Sequence, residues 1–208
     1  MKKLIFVLAA AAALLAGVLL FQHFVKPAPP ENALYYQKPR VVKPFQLTDH
    51  QGEQFSNAQL QGKWSFLFLG YMSCPDVCPT TLQEFNFAYQ DLKNIAKHVQ
   101  VLLVSADPNR DSIRNLSQYI NYFNSEFIAL RGEHGALFPF VRNLGLMYGI
   151  TDENSEEGYL VDHSASVVLI NPEGQIAAIF KPQIVVGQPP AISSEILVND
   201  FAKIVALN

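Results

Sequence analysis

Cys74 and Cys78 are the residues whose type and spacing point most directly to chemistry. They are the only cysteines in the 208 residues, and three positions separate them. Two thiols this close can form a disulfide, attack a disulfide of another molecule, or bind a soft metal ion. In a helical turn, Cα atoms at positions i and i+4 lie about 6 Å apart, which is within disulfide reach. The surrounding sequence has to discriminate among these roles.

The cysteine pair lies between a predicted strand and a predicted helix. Residues 64–69 form an apolar run typical of a buried strand. A helical pattern opens at Pro79, a residue type favoured in the first turn of a helix. The N-terminus of a helix favours thiolate, and a disulfide over so short a span would constrain the unfolded chain little. A redox-active or metal-binding pair is therefore favoured over a structural disulfide.

The rest of the chain alternates predicted helices and strands. A turn-rich connection over residues 48–53 predicts an N-terminal hairpin, with His50 exposed to solvent in its turn. The turn over residues 171–174 predicts a terminal hairpin, and His163 stands just before the first of its strands. This alternation predicts an α/β fold with a central mixed sheet flanked by helices. The remaining predicted helices cover residues 79–97, 112–122, 132–146 and 193–207, and the remaining predicted strands cover residues 99–105 and 127–130.

The N-terminal segment predicts a membrane anchor followed by a tether. Residues 4–21 carry no charged or strongly polar side chain, and a bilayer span needs roughly 17–25 residues. Two lysines precede this run, so the positive-inside rule places the body of the protein outside the cytoplasm. We expect an anchor at residues 1–22, an extended proline-containing linker at 23–40 and one domain at 41–208. A cleaved signal peptide is the alternative, and the bacterial inner membrane, with the domain on its periplasmic or outer side, is the expected location.

Composition and motif content exclude several function classes. The net charge is −3, and there is no basic segment of the kind that binds nucleic acid, so no nucleic-acid partner is expected. The chain contains no GxGxxG, GxxxxGK[ST] or HExxH motif, which removes the usual signals for dinucleotide, nucleotide and zincin sites. Half of the residues are hydrophobic, so a sizeable core is possible without disulfides.

Three ordered segments resemble the Sco (SenC) family. They are FLFLGYMSCPDVCPTTL at residues 66–82, VSADPNRD at residues 104–111, and Asp162-His163 followed by a strand and an Asn-Pro-x-Gly turn. The resemblance implies a thioredoxin-like fold and a membrane-anchored copper-binding protein that assists assembly of the dinuclear copper centre of cytochrome c oxidase. It also implies two kinds of partner, the copper subunit of that oxidase and other periplasmic copper chaperones.

The resemblance further implies that Cys74, Cys78 and His163 bind copper. By its sequence context alone, His163 is a lone histidine with a packing or hydrogen-bonding role. Two thiolates and an imidazole suit Cu(I). Copper, in either oxidation state, is the metal expected at this site. Because the ligands must be deprotonated, metal binding should weaken at acid pH. Asp162 is expected either to orient the imidazole or to be a surface carboxylate.

Neighbouring side chains receive more modest assignments. Met72 is expected to pack in the core or at its rim rather than bind metal. Arg110 is expected either to pair with a carboxylate that orders its loop or to contact a partner. Asp107 follows a predicted strand and is expected to act, at most, indirectly on the site. Asp111 and Ser112 are candidate caps of the following helix.

The alternative function is thiol chemistry on a partner protein. A periplasmic thiol–disulfide oxidoreductase or a redox sensor would use Cys74 and Cys78 as its redox-active pair. Thioredoxin-like oxidoreductases usually carry a cis-proline before a late strand and mostly use a Cys-x2-Cys motif. Residues 162–168 contain no proline, and the pair here is Cys-x3-Cys. Both departures favour a metal site, and neither excludes thiol exchange with a specific partner.

Overall fold

The computed structural model describes residues 2–24, 28–151, 159–185, 187 and 189–208. The helices are α1 (Lys2–Phe24), α2 (Val77–Ile95), α3 (Ile113–Phe123), α4 (His134–Leu144) and α5 (Ser194–Leu207), with a short 3-10 helix at Asn57–Leu60. The strands are β1 (Ala33–Val41), β2 (Gln46–Asp49), β3 (Gln54–Ser56), β4 (Trp64–Gly70), β5 (Val99–Ser105), β6 (Ile128–Arg131), β7 (Tyr148–Thr151), β8 (Leu160–His163), β9 (Val167–Ile170) and β10 (Gln175–Phe180).

An eight-stranded mixed sheet forms the centre of the domain, in the order β1-β10-β9-β4-β5-β6-β2-β3. Strands β4, β5 and β6 run parallel to one another, and the other neighbours in the sheet are antiparallel. Every residue of β4 and β5 is buried, as expected for central strands that are covered on both faces. The predicted α/β fold with a central mixed sheet and flanking helices is confirmed.

Strand β4 contributes to two hydrophobic layers because its successive side chains point to opposite faces of the sheet. Phe66 and Phe68 belong to the layer that also contains buried residues of α2, α3 and α5. Leu67 and Leu69 belong to the layer that contains buried residues of α4. The apolar run that precedes the cysteines is thus packed on both faces of the sheet. This packing fixes the position of Gly70, from which the cysteine-bearing turn begins.

All but the last residue of strand β1 (Ala33–Val41) lies in the segment expected to be a linker, so ordered structure begins before the boundary expected at residue 41. It pairs antiparallel with β10 at the edge of the sheet. The buried carboxylate of Asp200 accepts the backbone N–H groups of Glu31, Asn32 and Ala33 at 2.9, 2.7 and 2.8 Å. The expected boundary misses this strand because a distant carboxylate and strand partner hold the segment in place.

Helix α1 covers most of the segment expected to be a membrane anchor. Within the part of the chain that the structure describes, no helix meets the combined length and hydropathy needed to cross a bilayer. The anchor at residues 1–22 stays a prediction.

The two predicted hairpins are present, but the environment of His50 differs from the expectation. Strands β2 and β3 form the N-terminal hairpin, and β9 and β10 form the terminal one. The prediction of a solvent-exposed His50 is wrong, because its side chain is buried and its Nδ1 accepts the backbone N–H of Ala129 at 3.2 Å. The turn packs onto the adjacent strand β6 through this bond, so this histidine has a structural role.

Candidate metal centre

The first two components of the site come from the turn between β4 and α2 and from the first turn of α2. Cys74 lies in this turn, where its backbone N–H donates to the carbonyl of Tyr71 at 3.2 Å. Cys78 lies in the first turn of α2, which begins at Val77, before the predicted start at Pro79. The pair is therefore divided between turn and helix, and its geometry depends on how the turn is held.

Gly70 leaves room for the sulfur of Cys78. A Cβ atom on Gly70 would lie 2.7 Å from Leu103 Cδ1 and 3.0 Å from Cys78 Sγ. Real Cβ atoms essentially never approach another heavy atom as closely as the first of these distances. The absence of a side chain at the end of β4 is thus a steric condition for the position of the buried thiol.

The buried carboxylate of Asp111 holds the cysteine-bearing turn in place through hydrogen bonds. It accepts the backbone N–H of Met72 at 3.3 Å and the hydroxyl of Ser105 at 2.6 Å. Burial raises the pKa of Asp111 above its usual range. Of the two predicted caps of α3, Ser112 alone caps the helix, and Asp111 braces the cysteine-bearing turn. The Met72 side chain packs against the core, as expected.

The third component, His163, comes from a hairpin that the sequence analysis did not predict. Strands β7 and β8 form a separate two-stranded sheet in which Tyr148 pairs with His163. His163 thus ends a strand of its own rather than merely preceding the terminal hairpin. Residues 152–158, which stand between β7 and β8 in the chain, lie outside the described residues. Because β7 and β8 form a sheet of their own, contacts other than a shared strand ladder must hold His163 near the thiols.

The three predicted ligand residues converge. Cys78 Sγ lies 3.4 Å from His163 Nε2, although 85 positions separate the two residues. The sulfur atoms of Cys74 and Cys78 and a ring nitrogen of His163 all lie within 4.8 Å of one another. Cys78 is buried, whereas Cys74 and His163 are half-buried. The arrangement presents two sulfurs and one nitrogen to a common point, and two of the three residues are partly exposed to solvent.

The imidazole is oriented by a backbone carbonyl. His163 Nδ1 lies 3.2 Å from the carbonyl oxygen of Ser164. A carbonyl can only accept, so this bond requires a proton on Nδ1, and in the neutral ring the lone pair is then on Nε2, which faces Cys78. Among the described contacts of the imidazole, none is a hydrogen bond to Asp162, which is exposed. Of the two expectations for Asp162, the surface carboxylate agrees with this geometry.

The two thiols have opposite acid–base character. A hydrogen bond from Cys78 lowers the pKa of Cys74 to about 4, against an opposing effect of burial. The same hydrogen bond, together with burial, raises the pKa of Cys78. At neutral pH the accessible sulfur of Cys74 is therefore a thiolate, and the inner sulfur of Cys78 keeps its proton until a metal or a base removes it.

A cluster of Asp107, Arg110 and Tyr159 joins the loop after β5 to the residue that precedes β8. Arg110 forms an ion pair with the buried Asp107, so the expectation of a carboxylate partner is confirmed. The guanidinium carbon of Arg110 lies 3.8 Å from the ring centroid of Tyr159, within the range of a cation–π contact. Tyr159 was not predicted as part of the site, since nothing in its local sequence indicates a partner 52 positions away.

The chain is similar to known proteins both in sequence and in structure. A family model described as SCO1/SenC matches residues 34–196. A candidate copper-binding protein from Stutzerimonas stutzeri is 34% identical over 146 residues, which cover 70% of this chain and 71% of the relative. The human mitochondrial SCO1 homologue is 29% identical over 185 residues, which cover 86% of this chain and 60% of the relative. The copper-bound structure of Arabidopsis thaliana ScoI is similar with a TM-score of 0.71 at 26% identity, covering 79% of this chain and 98% of that one.

Proposed function

Because the chain belongs to the SCO1/SenC family, we propose that it is a copper chaperone that binds one copper ion through Cys74, Cys78 and His163. The observation that carries this proposal is the convergence of the three donor atoms within 4.8 Å. Two sulfurs and one imidazole nitrogen are a soft donor set that suits Cu(I). The low pKa of Cys74 also favours binding, since a thiol must be deprotonated to act as a ligand.

The proposed role is to serve the copper subunit of cytochrome c oxidase, either by delivering copper to it or by keeping its cysteines reduced. Other periplasmic copper chaperones are proposed as further partners. The family resemblance supports this role, and so does the half-buried state of Cys74 and His163, which leaves the site open to an incoming ligand. A cleft of about 430 Å³ beside His163, lined also by Met147, Tyr148 and Asp162, gives a partner side chain room to approach.

Copper transfer in this scheme is a ligand substitution in which no electron changes hands. An incoming thiolate of the partner bonds to copper as one bond from this chain breaks. Cys74 is the ligand that we expect to leave first, because it is more accessible than Cys78 and is the more stable of the two as a free thiolate. Cys78 and His163 then hold the ion until a second partner ligand replaces them.

The proposed location is the outer side of a bacterial inner membrane, with residues 1–22 as a single-pass anchor. The uncharged run at residues 4–21 and the two lysines before it support this proposal. Protease added to spheroplasts should degrade the domain, and protease added to intact cells should not. A domain that is protected in spheroplasts would contradict the proposal.

Anaerobic Cu(I) titration with a competing chelator tests the copper proposal. The parent domain should bind one copper ion tightly, and His163→Ala should bind it more than about 100-fold more weakly, since losing a ligand costs more than losing a group that orients one. His98→Ala is the matched control, because His98 is an exposed histidine between α2 and β5. Equal affinity of the parent and His163→Ala would remove His163 from the site.

Thiol–disulfide exchange with a partner is the second candidate function. It is favoured by the accessible thiolate of Cys74 beside the protonated, buried Cys78, which resembles the division of labour between an attacking and a resolving thiol. Turnover of a small disulfide substrate, unaffected by His163→Ala, would favour this function over copper binding. Loss of turnover only in Cys74→Ser and Cys78→Ser would assign it to the pair.

A further inference from the structure

We propose that Ser164 is a positioning residue that sets the tautomer and orientation of His163. No motif of the sequence identified Ser164. The proposal has two steps: the backbone carbonyl of Ser164 holds the imidazole, and the hydroxyl of Ser164 holds that backbone. Its copper readout rests on the proposed function, whereas its tautomer readout does not.

The first step is the hydrogen bond between His163 Nδ1 and the Ser164 carbonyl, at 3.2 Å. This bond makes Nδ1 the protonated nitrogen and turns Nε2 toward Cys78 Sγ, 3.4 Å away. If the proton were on Nε2 instead, the ring would present an N–H group to the sulfurs and could not donate a lone pair at that point. The direction of one carbonyl therefore decides whether His163 is a competent ligand.

The second step is the attachment of Ser164 to Met147. The Ser164 N–H donates to the Met147 carbonyl at 2.9 Å, and the Ser164 hydroxyl donates to the same carbonyl at 3.2 Å. The Met147 N–H in turn donates to the Ser164 hydroxyl at 3.0 Å. Ser164 thus makes three hydrogen bonds to the backbone of Met147, the residue that precedes β7.

The position of these bonds explains why the hydroxyl matters. The last backbone pair of the β7–β8 ladder is Tyr148 with His163, so Met147 and Ser164 lie just beyond its end. Residues just beyond the end of a strand ladder separate readily when few hydrogen bonds hold them together. The hydroxyl supplies two of the three bonds there, and so holds the Ser164 backbone in the orientation that the imidazole requires.

The test compares substitutions at Ser164 that keep or remove the hydroxyl. Ser164→Thr keeps it, whereas Ser164→Ala and Ser164→Val remove it, and valine matches threonine in shape. Thr151→Val is the control, because it removes a bond of 3.2 Å between a hydroxyl and the Leu160 carbonyl at the opposite end of the same hairpin.

The first readout is the ¹⁵N NMR spectrum of the His163 ring in the copper-free protein, at a pH where the ring is neutral. The parent, Ser164→Thr and Thr151→Val should show a single tautomer with the proton on Nδ1. Ser164→Ala and Ser164→Val should show a mixture that includes the Nε2-protonated form. A purely structural role of the serine would not change the tautomer in a folded variant.

The second readout is Cu(I) affinity by competition. Ser164→Ala and Ser164→Val should bind Cu(I) about tenfold more weakly than the parent. This is the lower end of the effect, about 10- to 100-fold, that follows the loss of a group that orients a metal ligand. Ser164→Thr should stay within about threefold of the parent, and Thr151→Val should not change. The thermal unfolding midpoint of each variant shows whether it is folded, and if alanine prevents folding the valine–threonine comparison decides.

Two results would overturn the proposal. One is a single Nδ1-protonated tautomer in the folded variants that lack the hydroxyl, whatever their copper affinity. The other is equal weakening of copper binding by Thr151→Val, which would indicate general loosening of the hairpin. If the parent itself binds no copper, the proposed function fails, and the tautomer comparison still decides the role of Ser164.

Discussion

The phenol of Tyr159 donates a hydrogen bond of 2.6 Å to Oδ1 of Asp107, and this bond ties the strand that carries His163 to the loop after β5. Asp107 is buried, and Arg110 both pairs with it and covers the Tyr159 ring. Since β8 is not part of the central sheet, this cluster is one of the contacts that fix the histidine relative to the thiols. The contribution of the Tyr159–Asp107 bond to stability and to Cu(I) affinity can be measured with a substitution at Tyr159.

Tyr159→Phe should destabilise the domain by about 1–2 kcal/mol, because it removes a hydrogen bond to a buried charged group but keeps the ring under Arg110. It should also weaken Cu(I) binding, since the start of β8 is then less constrained. Urea unfolding of the copper-free protein measures the first effect. Tyr122→Phe, at a side chain that is 85% exposed, is the control and should be neutral. An unchanged unfolding free energy for Tyr159→Phe would show that the bond does not stabilise the fold.

Gly70→Ala should displace either Cys78 Sγ or Leu103, because the added Cβ would lie 3.0 and 2.7 Å from their atoms. Overpacking of this kind typically costs about 1–3 kcal/mol, and copper affinity should fall with it. Gly149→Ala is a matched control, since a Cβ there meets nothing within 4 Å. Parent-like stability and copper binding in Gly70→Ala would mean that the side chains of Leu103 and Cys78 can move aside without a loss of unfolding free energy.

Alkylation of the reduced, copper-free protein should occur first at Cys74 and should depend little on pH between about pH 6 and 8. A thiol whose pKa is lowered to about 4 is already thiolate throughout this range. An ordinary cysteine, with a pKa of about 8.5, would react about 75-fold faster at pH 8 than at pH 6, because its thiolate fraction rises by that factor. Cys78 should react slowly, because burial and its hydrogen bond to Cys74 raise its pKa. Peptide mapping by mass spectrometry separates the two rates, and a tenfold rise per pH unit at Cys74 would contradict the expectation.

Asp162→Asn should change Cu(I) affinity by less than about threefold, in contrast to a substitution that disturbs an orienting partner. The described acceptor of the imidazole N–H is the Ser164 carbonyl, and Asp162 is exposed. The same competition titration used for the Ser164 variants measures this. A loss of tenfold or more would show that the carboxylate does act on His163.

The sequence by itself determined the local parts of this protein. Spacing placed Cys74 and Cys78 within reach of each other, and apolar runs located strands such as β4 and β5 and the helix that follows the cysteines. Turn residues indicated two of the hairpins, β2–β3 and β9–β10. Each of these features depends on residues a few positions apart, whose relative geometry follows from backbone dihedral preferences. His163 was identified through the resemblance of three sequence segments to a family, since a lone histidine carries no such local signal.

Only the tertiary structure decided how distant parts meet. It brought His163 to Cys78 across 85 positions, on a hairpin that the sequence analysis did not predict. It also buried His50, ordered β1 through Asp200, and made the Ser164 carbonyl, rather than Asp162, the partner of the imidazole. These outcomes depend on long-range packing and on hydrogen bonds between elements far apart in the chain, for which no pattern within a short window of sequence is sufficient.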